Sequence, residues 1–168
     1  VLEPLAQTLI ASAVLQTHAP AALQSAWLPR IAGGEAIVVL AHQERGARHH
    51  LNRCKAEAKE AGGQWTVSGT KSIVPVGDQA DAYIVPALAG GQMALFLVER
   101  CAAGVKAEGY LTQDGARAAE VSFANSPAQL ITKNGQTALE EAADIGSACV
   151  CAEGVGVMDK TLAITAEY

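Results

Sequence analysis

Pro29-Arg30-Ile31-Ala32-Gly33-Gly34-Glu35-Ala36-Ile37-Val38-Val39-Leu40-Ala41 is the stretch on which the fold turns. Before Gly33-Gly34 the apolar residues recur at helical spacing. After it, Ala36 to Ala41 is an unbroken apolar run of strand length. The glycine pair between them stops a helix. The chain therefore changes hydrophobic period here, and the two sides of the change are read separately.

Upstream, Leu2, Leu5, Leu9, Ala13 and Gln16 lie on one helical stripe, with Pro4 expected in its first turn. His18-Ala19-Pro20 breaks that helix, because the residue before proline avoids the helical region. A second helix is expected from Pro20 to Ala32, with Ala22, Leu23, Ala26, Trp27 and Ile31 on its apolar side and a kink or a short helical restart at Pro29.

Downstream come Gln64–Val74, Ala82–Pro86, Met93–Val98 and Ala119–Phe123, all rich in strand formers. Gly62-Gly63, Gly77-Asp78, Gly90-Gly91 and Asp114-Gly115 punctuate them as turns. Several short strands without a long helix between them predict an antiparallel barrel or sandwich. Asp78 and Asp81 read as turn formers, and Trp65 as a filler of the sheet core. From Asn134 the helical period returns through Leu139, Ala142, Gly146, Cys149, Val150, Val157 and Leu162, with many small residues. The fold class expected is thus α+β: a small antiparallel β-barrel or sandwich flanked by N-terminal helices and one long C-terminal helix. The segments expected are 1–34, 35–131 and 132–168, the first and last being parts of helical domains. The opening residues lack an initiator Met and a basic leader, and the last helix lacks a stop signal, so the chain is expected to be part of a longer polypeptide.

Composition narrows the function. Half the residues are hydrophobic and 17% are charged, with 12 Lys and Arg against 17 Asp and Glu, a net charge of −5. This acidic balance, with 4% aromatics, argues against a nucleic-acid partner. No apolar run approaches the ~20 residues of a membrane span, so no membrane insertion is expected. Cys54, Cys101, Cys149 and Cys151 form no CxxC pair, and free, mostly buried thiols in a cytoplasmic protein are expected. No metal site is expected. His42, His49 and His50 are close in sequence but lack a suitably spaced carboxylate.

The order of helices, small β-domain and small-residue helix resembles the acyl-CoA dehydrogenase family. Pro29–Glu35 resembles that family's "LP.IA.GE" junction. Gly69-Thr70-Lys71-Ser72-Ile73-Val74 resembles its "GxKxWIT" strand, and Ala80–Val85 its "AD.FLV" strand. Leu97-Val98-Glu99 with Gly104-Val105 resembles "FLV…PGV", and Gly115-x-Arg117 before Glu120–Phe123 resembles "GxR…xVxF". Ala152–Gly156 resembles the start of the helix that opens the C-terminal bundle. The section from Leu40 to Leu51 is most similar to a divergent bacterial branch, such as the small subunits of pimeloyl-CoA dehydrogenases. The resemblance implies a fragment of that fold. It also implies an FAD cofactor, an acyl-CoA substrate oxidised across Cα–Cβ, an electron-transfer protein as acceptor, and a homo- or hetero-oligomer. The glutamate that takes the α-proton in most members lies in the second half of the C-terminal bundle. No residue of this chain is therefore expected to be catalytic, and the chain alone is expected to be inactive.

The same resemblance implies cofactor contacts at Leu40, His42, Gln43, Ile73, Val74 and Pro75. Of the family's loop after the first strand, Glu44, Gly46 and Ala47 match. Gln43 stands where the family has a flavin-bonding Thr, and Leu40 where it has an aromatic residue. Ile73 stands for a Trp that packs on the ring, and Pro75 for a Thr whose hydroxyl reaches it. Arg48 and His49 fall near the family's CoA site, where a basic loop would face phosphates. The substitutions leave two alternatives to a catalytic chain. One is a non-catalytic partner subunit of a heteromeric dehydrogenase. The other is a β-domain that binds a protein partner.

Overall fold

A computed structural model describes residues 5–47 and 50–167. Ten elements follow in order: α1 (Leu5–His18), α2 (Ala21–Ala32), β1 (Val38–Leu40), β2 (Glu57–Ala61), β3 (Gln64–Pro75), β4 (Ala82–Ala89), β5 (Gln92–Glu99), β6 (Val105–Leu111), β7 (Arg117–Thr132) and α3 (Gly135–Ala166).

The strands β4, β2, β3, β7 and β5 pair in that order, and β5 returns to β4, so the sheet closes on itself as a barrel. Most pairings are antiparallel, as expected. Two are not: β1 and β2 both run parallel to β4. They share one edge of β4, β1 at Ala82–Ile84 and β2 at Leu88–Ala89. The chain between β1 and β2 therefore leaves that edge and rejoins it further along. The strand β7 is longer than its apolar core suggests. It pairs with β3 on one side, and on the other first with β6 and then with β5.

Period-2 alternation splits the apolar residues into two cores. Val39, Ala41, Val67, Val74, Tyr83, Val85, Phe96, Val98, Val121 and Phe123 fill the barrel. Their neighbours Val38, Leu40, Ala82, Ile84, Leu95 and Leu97 point the other way, under the helices. Each pleated strand thus feeds both cores. Trp65 packs against Phe96 with ring centroids 5.1 Å apart, at the edge of the barrel core.

Pro20 separates α1 from α2 where the sequence predicts. The buried face of α1 is not the predicted one. Ile10, Ala11, Val14 and Leu15 are buried, while Leu5 and Leu9 are exposed, and Leu2 lies outside the described residues. Two interleaved stripes compete in this apolar helix. The stripe that meets the sheet and α3 wins; Ile10 approaches α3 at Gly146. In α2, Leu23 and Trp27 are buried, and Ala22 and Ala26 are exposed. The helix continues past Pro29, which sits in its last turn, and Arg30 stacks over Trp27 at 4.7 Å. Only the first turns of α3 are buried, at Gly135, Ala138, Leu139 and Ala142. A helix of 32 residues is about 48 Å long, so most of α3 stands clear of the barrel.

Candidate functional site

The loop after β1 and the far half of β3 are distant in sequence and touching in space. Ser72 N–H donates to the Gln43 carbonyl at 2.8 Å. Here β3 is irregular: its register against β7 shifts between Lys71 and Val74. Within that shift Ile73 adopts φ 52°. A β-branched residue in the left-handed region is a true outlier, and such strain costs on the order of 1–3 kcal/mol. The irregularity buries both Lys71 and Val74 and turns Ile73 outward, 49% exposed. A recess of about 350 Å³ forms where Gln43, Arg45, Gly46, Ser72, Ile73 and Tyr110 meet. Arg45 pairs with Glu120 across it at 2.7 Å.

Beneath the recess lies a buried ion pair. Lys71 is 0% exposed and Glu44 6% exposed. Lys71 Nζ donates to Glu44 Oε1 at 2.7 Å. The Lys55 and Ala56 backbone N–H groups donate to the same carboxylate at 2.8 and 3.1 Å. Burial pushes the Glu44 carboxyl up. The Lys71 hydrogen bond and charge, with the two backbone donors, overcome that and hold it below the usual carboxylate range. Glu44 is thus an ionised anchor that pins the loop to the barrel, with both oxygens accepting hydrogen bonds from it. Gly69 makes this possible on the other side. Its φ is 148°, and a Cβ there would fall 2.7 Å from the Ala56 Cβ.

Cys54 completes the cluster. Its Sγ approaches the Pro86 carbonyl at 3.3 Å, Glu44 Oε1 at 3.5 Å and Lys71 Nζ at 3.7 Å. Burial raises the thiol first, with Glu44 adding and Lys71 opposing. His42 is half-buried nearby. Burial lowers its imidazole, the Lys71 charge adds to this, and the ring stays neutral near pH 7.

Of the residues expected from the sequence, Gln43 and Ile73 line the recess. Among the described residues the Gln43 side-chain amide has no partner. Leu40 is buried in the core under the helices and Val74 in the barrel core. Pro75 is half-buried opposite Ala118 on β7. Arg48 and His49 lie outside the described residues; His50 is exposed. Sequence reasoning missed Lys71, Ser72 and Tyr110. Glu44 and Lys71 were both matched to motifs, and two opposite charges in otherwise apolar surroundings were the available signal for a pair. Asp81 does more than shape a turn: it accepts from the Ile37 N–H at 2.8 Å, and Asp78 pairs with Arg117. A larger cavity of about 620 Å³ lies elsewhere, between the β2–β3 turn, β5 and β7, and none of the cofactor- or substrate-binding residues expected from the sequence lines it. Among the described residues no three His, Cys, Asp or Glu side chains cluster as metal ligands, and no helix is long and apolar enough to cross a membrane.

No family model and no curated protein matches the chain. Solved structures do. A variant of the Tcur3481-Tcur3483 steroid ACAD is 30% identical with a TM-score of 0.86, covering 98% of this chain and 44% of that one. A structure described as an FAD-dependent dehydrogenase is 25% identical with a TM-score of 0.90, covering 97% of this chain and 47% of its own. The ChsE4-ChsE5 complex from Mycobacterium tuberculosis, 22% identical with a TM-score of 0.85, covers 98% and 44%, and shows the fold alone. The chain spans less than half the length of each. With a closed barrel, helices packed on its outer face, a long helix after the last strand and a solved acyl-CoA dehydrogenase that follows nearly all of it, this chain is acyl-CoA dehydrogenase-like in fold.

Proposed function

We propose that this chain supplies the β-barrel wall of an FAD site in an acyl-CoA dehydrogenase that oxidises the Cα–Cβ bond of an acyl-CoA thioester to the enoyl-CoA. The observation that carries the reading is the junction of Gln43 and Ser72, which joins the two segments at a recess floored by a fixed ion pair. The residues present fit a flat heteroaromatic ring. Ile73 and Tyr110 offer exposed apolar surface, and the Gln43 amide is free to donate and accept. Bound there, the flavin would supply the acceptor for hydride.

The chain's own residues bind and orient. Gln43 holds the ring edge. Ile73 covers one face and excludes water. Glu44 and Lys71 keep the loop in register with β3. Arg48 and His49 are proposed to face the CoA phosphates. The carboxylate that removes the α-proton is proposed to lie outside this chain, because Glu44 is committed to Lys71 and to backbone donors. An electron-transfer protein as acceptor and a cytoplasmic location complete the reading.

A second reading is a non-catalytic subunit of a heteromeric dehydrogenase. Pro75 favours it, since proline brings neither an N–H nor a hydroxyl to a ring. The experiment is FAD titration of the protein that contains this chain, followed by flavin fluorescence. Gln43→Ala should weaken binding by about 1 kcal/mol, roughly fivefold. Unchanged affinity would remove Gln43 from the site. A wild-type protein that retains no FAD would favour the second reading.

A further inference from the structure

The ion pair under the recess carries a nucleophile with no part in the reading above. Cys54 Sγ and Lys71 Nζ are 3.7 Å apart, and Glu44 Oε1 accepts a hydrogen bond from each, at 3.5 and 2.7 Å. Lys71 is wholly buried and Cys54 is half-buried, so the amine is held beside a thiol-bearing residue that keeps some exposed surface. The two residues sit on different segments, the loop before β2 and the strand β3, and the Glu44 carboxylate bridges their side chains.

We propose that Cys54 and Lys71 form a site of oxidative cross-linking, in which a hydroperoxide oxidises the thiol and the lysine amine then closes a sulfur–nitrogen bond. In the first step the Cys54 S–H bond breaks and an S–O bond forms; hydrogen peroxide loses its O–O bond and leaves as water, and the sulfur becomes a sulfenic acid. In the second step the Lys71 ammonium gives a proton to Glu44, and the freed amine attacks the sulfur. The S–O bond breaks, and the hydroxyl takes the second amine proton and leaves as water. The sulfur has lost two electrons to one peroxide, the product is an S–NH link, and Glu44 ends neutral. Glu44 touches both reacting groups, so no other proton carrier is required. Neutralising it also removes the penalty of leaving a buried carboxylate without its cation. Burial raises the thiol and keeps it largely protonated at neutral pH, so its oxidation is slow. A thiol reductant attacks the sulfur and restores both side chains.

The test uses a chain in which Cys101, Cys149 and Cys151 are Ser, so that no disulfide within one chain can mimic the loss of two hydrogens. After hydrogen peroxide, the intact mass should fall by two hydrogens. Peptide mapping should show the Cys54 peptide joined to the Lys71 peptide, with tryptic cleavage after Lys71 lost in the same proportion. Dithiothreitol should reverse all three, and Cys54→Ser should abolish them. Glu44→Gln should slow closure severalfold while a dimedone-reactive sulfenic acid builds up at Cys54. Sulfinic or sulfonic acid on Cys54 with an unlinked Lys71 peptide would overturn the proposal, as would an unmodified Cys54.

Discussion

Removing either member of the Glu44–Lys71 pair leaves a buried charge without its counterpart. Lys71→Met should therefore destabilise the chain by about 3–5 kcal/mol, a large part of the stability of a domain this size, read from the urea midpoint. The pair also sets a pH response. The folded Glu44 carboxyl lies below its ordinary value, so its contribution is complete above that value, declines as pH drops below it, and is lost once pH has fallen through the lowered folded value. His42 acts earlier. Its folded imidazole is also depressed, so the unfolded chain binds the proton first and stability falls as pH drops below about 6.5. Urea unfolding of wild type between pH 8 and pH 3 should show two losses on acidification (a range spanning the ordinary His and Glu values). His42→Phe should remove the upper one. Sequence reasoning matched Glu44 and Lys71 to motifs without joining them, because their contact depends on how far the loop after β1 folds back, and no local pattern records that.

At the level of the element, β3 is decided by two departures from regularity. At Gly69 the strand passes so close to Ala56 that any side chain would collide with it. Gly69→Ala should cost about 1–3 kcal/mol by overpacking, whereas the same change at Gly91, which shares the strain of a positive φ but lies in open space on a turn, should cost less. Thermal unfolding of the two variants distinguishes them. At Ile73 the left-handed backbone turns an apolar side chain to solvent. Replacing Ile73 by Gly should relieve the strain and weaken any ring contact together, so stability would hold or rise while cofactor retention fell. The main strands and helices were legible from periodicity and turn residues. Two strands were not. The strand β2, Glu57-Ala58-Lys59-Glu60-Ala61, presents mostly polar side chains and buries one alanine. The strand β6 is exposed along most of its length and owes its existence to pairing with β7. Both are defined by partners, not by their own apolar content.

Across the whole molecule, the exposed half of α3 sets the behaviour of the isolated chain. Val150, Val155, Val157, Met158 and Leu162 are all at least 60% exposed. So many large apolar side chains exposed along one helix are uncommon on a stable monomer. The 168-residue chain should self-associate at micromolar concentrations, and Val155→Lys with Leu162→Lys should restore a monomer in sedimentation equilibrium. The same chain, mixed with FAD and acyl-CoA without oxygen, should not bleach the flavin, since no free base lies among the described residues at the recess. The period change at Gly33-Gly34 made the layered α+β plan readable, but barrel closure was not, because closure is a property of β7 meeting β3 and β5 at once. That geometry has a consequence during synthesis. The barrel cannot seal until Thr132 has left the ribosome, and the layer beneath the helices also waits for Ala138, Leu139 and Ala142. At roughly 5–20 residues per second, the first three strands stay open-edged for on the order of several seconds. The nascent chain thus exposes unpaired strand edges for a period set by translation speed, and slowing codons between β3 and β7 should lower its soluble yield.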